Sequence, residues 1–239
     1  MPEARTRQVN ILLVENMVQL DITGPYEVLA RVPGWQVTLV AESLAPVRTD
    51  RGLRIVPDAT RDTAPPADLL VVPGGTGIDL AMLDPGWIGF VQRQAATAAH
   101  VFGICTGSLL LGAAGLLQGR RAGAHWQARD LLAQFGALPS EARVTVDGRF
   151  YTAGGVTSGI DVALRVVADL EGEALARRIQ LAIEYDPAPP FPGGRPESSP
   201  PDIVAAVREA SRARRAEREA LVAEAAARLR QAPEPRPPQ

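Results

Sequence analysis

Three short, nearly unbroken apolar runs punctuate the first half of the chain: Val9–Val14 (VNILLV), Asp68–Val72 (DLLVV) and Val101–Ile104 (VFGI). Runs of this length without polar alternation predict strands buried on both faces, as in a parallel sheet. Trp35–Ala41 (WQVTLVA) alternates and is rich in β-formers, which predicts a further strand. Between these runs the pattern turns helical. Helices are expected over Ile22–Arg31, Ile78–Leu83, Trp87–Ala99, Thr106–Leu117, His125–Phe135, Thr157–Leu170 and Glu173–Tyr185, with Thr23 as a cap and Pro25 tolerated in the first turn of its helix. Val47–Pro57 reads as a hairpin around Asp50-Arg51-Gly52. Val144–Asp147 and Arg149–Ala153 read as two strands joined at Asp147-Gly148. Strands alternating with helices predict an α/β fold: a doubly wound, mostly parallel sheet with helices on both faces. Ligands of such sheets bind beyond the carboxyl ends of the strands. That rule gathers three distant loops around one site: Glu15–Asp21, Pro73–Gly77 and the turn at Cys105.

Beyond Tyr185 the pattern changes. Asp186–Pro201 is dense in proline and reads as an extended arm. Asp202–Arg230 is rich in alanine, arginine and glutamate and reads as one long helix; Ala232–Gln239 reads as a disordered tail. The expected division is an α/β domain over 1–185, an arm over 186–201, and a helix with its tail over 202–239. The charge run Arg212–Glu219 is mixed, which suits a solvated helical face with i,i+4 pairs. Such a helix packs either on the body or on a second subunit.

Composition narrows the function. A net charge of −2 gives a nucleic-acid-binding body no support. A single cysteine excludes an intrachain disulfide framework and suits a reducing cytosol. The opening MPEARTRQVN has no apolar signal region and no run reaches membrane-spanning length, so the expectation is a cytoplasmic protein with no membrane partner. Two histidines and one cysteine do not build a structural zinc site, and no metal is expected.

The chemistry centres on that cysteine. Cys105 follows the strand Val101–Ile104, precedes a helix, and has Gly103 and Gly107 two residues to either side. This is the pattern of a nucleophile elbow, with glycines where a sharp turn needs room. An inert core cysteine needs no such frame. A helix N-terminus behind the sulfur favours a thiolate. Asp21, from the first loop, reads as a proton donor or as a helix-end residue. Thr106 reads as a ligand to substrate or as a group satisfying its own helix. Gly74 and Gly75, in a Pro-Gly-Gly loop after a buried strand, suit an oxyanion site. His125 either completes a Cys–His pair or orients a loop. His100 reads as a surface residue; Asp79 and Asp161 read as helix-end residues.

The segments VENMVQLDITGPYEVL, DLLVVPGGTG, VFGICTGSLLLGAAGLLQGRRA, YTAGGVTSGIDVAL and LAIEYDPAPPFPGG resemble the ThiJ/PfpI superfamily, in order and over about Val9 to Gly194. The resemblance implies a flavodoxin-like fold of the class I glutamine amidotransferase type. Within the superfamily, LDITGP, the threonine after the cysteine and EYDPAPPF resemble the isonitrile-hydratase branch; sensor domains of AraC-type regulators share several of these features. The implied activity is hydro-lyase chemistry: cofactor-free, cysteine-dependent hydration of an isonitrile (R–NC) to an N-substituted formamide. Cys105, Asp21 and Thr106 fall on the catalytic positions, and Gly74 and Gly75 on the oxyanion or substrate-binding loop. A small-molecule substrate and a homodimer are implied as partners. Two other functions stay open: a different superfamily enzyme acting on a glyoxal or on an amide or peptide bond, or a non-enzymatic redox or small-molecule sensor.

Overall fold

The computed structural model describes residues 6–231. The tail expected over Ala232–Gln239 lies outside the described residues. Seven strands form the central sheet: β1 (Arg7–Leu12), β2 (Trp35–Ala41), β3 (Ala59–Thr60), β4 (Leu69–Val72), β5 (His100–Ile104), β6 (Val144–Asp147) and β7 (Phe150–Ala153). Their order is β6-β7-β5-β4-β1-β2-β3. All neighbours are parallel except β6 and β7, which form an antiparallel hairpin at one edge. The sheet is the expected doubly wound, mostly parallel one.

Helices cover both faces, which is why β4 is apolar at every position. Leu69 and Val71 face the core under α1 (Leu20–Leu29), α5 (Ser158–Glu171) and α6 (Glu173–Ala182). Leu70 and Val72 face the other core, under α2 (Gly77–Ala81), α3 (Pro85–Thr97) and α4 (Gly107–Ala113). The chain moves outward from β1 to β2 and β3, then returns to the other side of β1 as β4. The crevice between β1 and β4 is therefore the switch point, where an open α/β sheet binds its ligand.

Local departures from the sequence reading have local causes. Helix α1 begins at Leu20, so Asp21 lies in its first turn rather than in the preceding loop. Thr23 does not cap it: its hydroxyl donates back to the Gln19 carbonyl at 3.1 Å. After His125 the chain turns, with Ala128 N and Arg129 N both donating to the His125 carbonyl, and only Arg129–Phe135 forms a helix, of 3-10 type. His100 is half-buried at the start of β5, edge-on to Tyr151, rather than at the surface.

The long C-terminal helix is two helices, α7 (Pro201–Ala210) and α8 (Arg212–Gln231). Ser211 marks the break. Its hydroxyl donates to the Val207 and Arg208 carbonyls and accepts from Gln127 at 2.6 Å, competing with the backbone ladder. Helix α8 packs on the body: Val222, Ala225 and Ala226 are buried in the core that holds α4 and Phe135. Small alanines let it approach closely despite its polar composition. Among the described residues no helix is long and apolar enough to cross a membrane.

Candidate active site

Cys105 stands at the end of β5 with φ +57°, a left-handed conformation that costs an L residue about 1–3 kcal/mol unless its surroundings hold it there. Three backbone hydrogen bonds hold it. Cys105 N–H donates to the carbonyls of Ala153 (3.1 Å), the last residue of β7, and Gly154 (3.0 Å), the first beyond it, and its own carbonyl accepts from His125 N–H at 3.2 Å. The glycine at position 107 is required by close approach: a β-carbon there would lie 2.1 Å from the Val72 carbonyl oxygen. The elbow is thus clamped against β4 and β7 at once.

Asp21 comes from the β1 side of the crevice. It is fully buried; one carboxyl oxygen accepts from Gly74 N–H at 2.8 Å, and the other has no hydrogen-bond partner. Gly74 is the meeting point. A β-carbon at that position would lie 2.6 Å from Thr106 N, 2.7 Å from Cys105 Cβ and 2.8 Å from Asp21 Oδ2. A bare glycine therefore lets the Cys105–Thr106 turn and the Asp21 side chain converge on the glycine loop. The loops are also tied to each other, by Val18 N–H to the Gly74 carbonyl at 2.8 Å and by a bridge between Met17 and Gly75.

Thr106 is buried and grips the next peptide. Its hydroxyl accepts from Gly75 N–H at 2.9 Å and donates to the Gly75 carbonyl at 3.1 Å. The two N–H groups of the glycine loop are thus engaged, Gly74 with Asp21 and Gly75 with Thr106. The N–H that faces the sulfur is that of Thr106.

Burial dominates the electrostatics. It raises Asp21 from its ordinary 3.8 to about 7, against the opposing pull of the Gly74 N–H and the Cys105 thiol; the charge of Asp50 adds to the rise. Burial also raises the Cys105 thiol, and the neighbouring Asp21 charge raises it further; the Thr106 N–H and the Arg218 charge oppose this incompletely. The resting sulfur therefore keeps its proton, a correction to the thiolate expected from the helix N-terminus. Helix α4 spans only Gly107–Ala113, and its end does not outweigh the burial of the sulfur. His125 is lowered to about 4, first by burial and then by the charges of Arg218 and Arg214. Its neutral ring accepts from Gln127 N–H at Nδ1, 3.2 Å away, and it orients its own loop rather than pairing with the thiol.

A cavity of about 400 Å³ opens over these groups. Cys105, Thr106 and Gly75 line its floor, Val18 and Asp50 one wall, and Val156 from the loop after β7 another. Arg214 and Arg218 of α8 reach it as well. Arg218 forms a buried two-pronged ion pair with Asp79 of α2, at 2.6 and 3.0 Å. Asp79, read from sequence as a helix-end residue, instead anchors the C-terminal helix to the segment that follows the glycine loop. Its partner lies 139 positions away, and no local pattern announces it. Among the described residues no group of three or more His, Cys, Asp or Glu side chains could hold a metal ion.

Comparison with known proteins agrees with this architecture. The model of the DJ-1/PfpI family matches residues 7–169. The chain is 47% identical over 197 residues to the isonitrile hydratase of Pseudomonas putida, a match covering 82% of this chain and 86% of that protein. It is 30% identical to the HTH-type transcriptional regulator GbdR of Pseudomonas aeruginosa, over 77% of this chain and 53% of the regulator. The crystal structure of a THiJ/PfpI family protein from Pseudomonas syringae superposes with a TM-score of 0.90 at 40% identity, covering 92% of both chains.

Proposed function

From the premise that this chain belongs to the DJ-1/PfpI family, we propose that it is a cysteine-dependent isonitrile hydratase, converting R–NC and water to the N-substituted formamide R–NH–CHO. One observation carries the reading: the buried Asp21 carboxyl, pushed up to about 7 by burial, and the Cys105 thiol on its clamped elbow converge on Gly74. The terminal carbon of an isonitrile must accept a soft nucleophile and then a proton. A carboxyl poised near neutral pH suits both tasks.

In this scheme the Asp21 carboxylate takes the proton of Cys105. The sulfur adds to the terminal carbon, forming the C–S bond, and Asp21 returns the proton to that same carbon. The product is a thioimidate, R–N=CH–S–Cys105. Water then adds across the C=N bond: its oxygen bonds to carbon while Asp21 moves one of its protons to nitrogen. The C–S bond breaks as the hydroxyl becomes a carbonyl, and the departing sulfur recovers the hydroxyl proton. Thr106 N–H stabilises the sulfur while it is anionic. The Thr106 side chain holds the Gly75 peptide in place, which keeps Gly74 N–H on Asp21. General acid–base help of this kind is typically worth ~10²–10⁴ in rate. The residues that carry the scheme are Cys105 and Asp21, with Thr106, Gly74 and Gly75 as positioning groups. It needs no cofactor.

The proposed setting is the cytoplasm and the proposed assembly a homodimer. The exposed apolar side chains of Phe191, Ile203 and Val207, on the arm and α7, support an interface of this kind. The test of function is direct: incubation with cyclohexyl isocyanide and quantification of N-cyclohexylformamide. Turnover that Cys105→Ala abolishes sustains the proposal. No turnover under conditions where a known hydratase works refutes it, and full activity in Cys105→Ala refutes the covalent route.

A further inference from the structure

Helix α8 brings three arginines to the Cys105 side of the body, and they are not used alike. Arg218 is neutralised by Asp79. Arg215 is held by Asp130 at 2.8 and 2.6 Å, by Glu219 at 2.7 Å and by the Gln127 carbonyl. Arg214 lines the same cavity as Cys105, Thr106 and His125, yet forms no ion pair among the described residues.

The other charges around the cavity do not answer it. On the facing loop Asp50 has its one ion pair with the adjacent Arg51, at 3.5 Å, and none with Arg214. Asp21 is fully buried beneath the lining and engaged by Gly74. His125 is neutral. Glu217, one turn further along α8, makes no ion pair with Arg214. The charge of Arg214 is felt, after that of Arg218, at His125 in the cavity and at Asp79 behind it, whose carboxylate Arg218 already holds. The hydration scheme does not use this guanidinium: the isonitrile group is neutral overall, and its protons move between Cys105 and Asp21. An exposed planar fork of N–H donors without an ion-pair partner, on the wall of a cavity that holds the nucleophile and is larger than the reacting group needs, matches a carboxylate on the remainder of the substrate.

We propose that Arg214 is a specificity-determining residue that binds a carboxylate on the R group, so that the preferred substrates are isonitriles bearing a carboxylic acid. This assignment of substrate class rests on the isonitrile-hydratase reading. The anion subsite itself can be tested apart from it.

Isocyanoacetate and its methyl ester share the reacting carbon and differ in charge. The expected kcat/KM favours the acid, and Arg214→Gln lowers the acid-to-ester ratio by about tenfold or more, the worth of one charge-assisted pair, chiefly through KM. Arg214→Lys restores part of the ratio. A ratio that Arg214→Gln leaves within about twofold overturns the assignment, as does wild-type preference for the ester. Calorimetric titration with N-formylglycine and its methyl ester reads the same subsite without turnover. Tighter binding of the acid that Arg214→Gln removes sustains the subsite even if no isocyanide is hydrated, in which case only the hydratase reading fails. Turnover of both isocyanides, with no Arg214-dependent preference in rate or binding, leaves the hydratase reading standing and refutes the subsite.

Discussion

Replacing Asp21 by Asn separates the buried charge from everything else the side chain does. Asparagine keeps an acceptor for Gly74 N–H in the same shape, and its amide nitrogen takes the place of the oxygen that has no partner. Any cost of that exchange does not vary with pH. The ionisation of Asp21 does vary. Its folded value of about 7 lies above the ordinary 3.8, so between those limits the folded state holds a proton that the unfolded chain has lost. Stability from this group is therefore fully present below about pH 4 and is lost as pH rises to about 7, at 1.36 kcal/mol per unit, or about 4 kcal/mol in all. His125 works in the opposite direction: lowered to about 4, it adds stability as pH rises toward its ordinary 6.5. That trend is common to wild type and variant and cancels in their difference. Urea unfolding of both proteins at steps from about pH 4 to about pH 9 gives the difference curve. It should fall by about 4 kcal/mol up to neutral pH and then level off, leaving Asp21→Asn the more stable protein in base. A difference curve flat to within about 1 kcal/mol would mean that Asp21 titrates as an ordinary carboxyl. The proton shuttle between Asp21 and Cys105 would then lose its physical basis.

Four further outcomes follow from the same geometry. The acid limb of kcat/KM should rise with unit slope to about pH 7, where Asp21 ionises and can accept the thiol proton; an acid limb near pH 4 in a pH–rate profile would contradict it. Thr106→Val should lower activity and cost about 1–3 kcal/mol in denaturant unfolding, because both polar groups of the Gly75 peptide lose their partner, while Thr106→Ser should recover most of the loss. Arg218→Met should cost about 3–5 kcal/mol by leaving Asp79 buried without a counter-charge, and Asp79→Leu in the same protein should restore much of it; an additive double mutant would refute the coupling. Light scattering should give twice the chain mass, and Phe191→Ser with Val207→Ser should shift it toward the monomer.

How much of this was legible in the sequence depends on the range of the interaction. The buried strands were, because a strand covered on both faces must be apolar at every position, as Leu69–Val72 is. So was the elbow, because a left-handed Cys105 beside a helix pressed on Val72 leaves glycine as its local trace. The convergence of the Asp21, Gly74 and Cys105 loops followed from the rule for strand ends in a parallel sheet. The ionisation states did not follow, because burial is a property of the whole fold: a helix end suggests a thiolate, whereas burial of Cys105 raises its thiol. Asp79 and Arg218 were invisible as a pair for a related reason. Each has ordinary helical neighbours, and α8 presents alanines where a packing face normally shows leucines. The break at Ser211 was hidden too, since it depends on Gln127, which reaches it from another part of the chain.

The anchoring of α8 also orders events in time. A ribosome finishes β1, β4 and β5, and with them Asp21, Gly74 and Cys105, well before it makes Arg218. The 139 residues from Asp79 to Arg218 take on the order of ten seconds to add. During that interval the Asp79 carboxylate has no counter-charge and the cavity lacks the wall that Arg214 and Arg218 complete. The arrival of α8 encloses both in a single step. A chain stopped short of Arg218 would leave Asp79 without its counter-charge and the Cys105 cavity open on the α8 side.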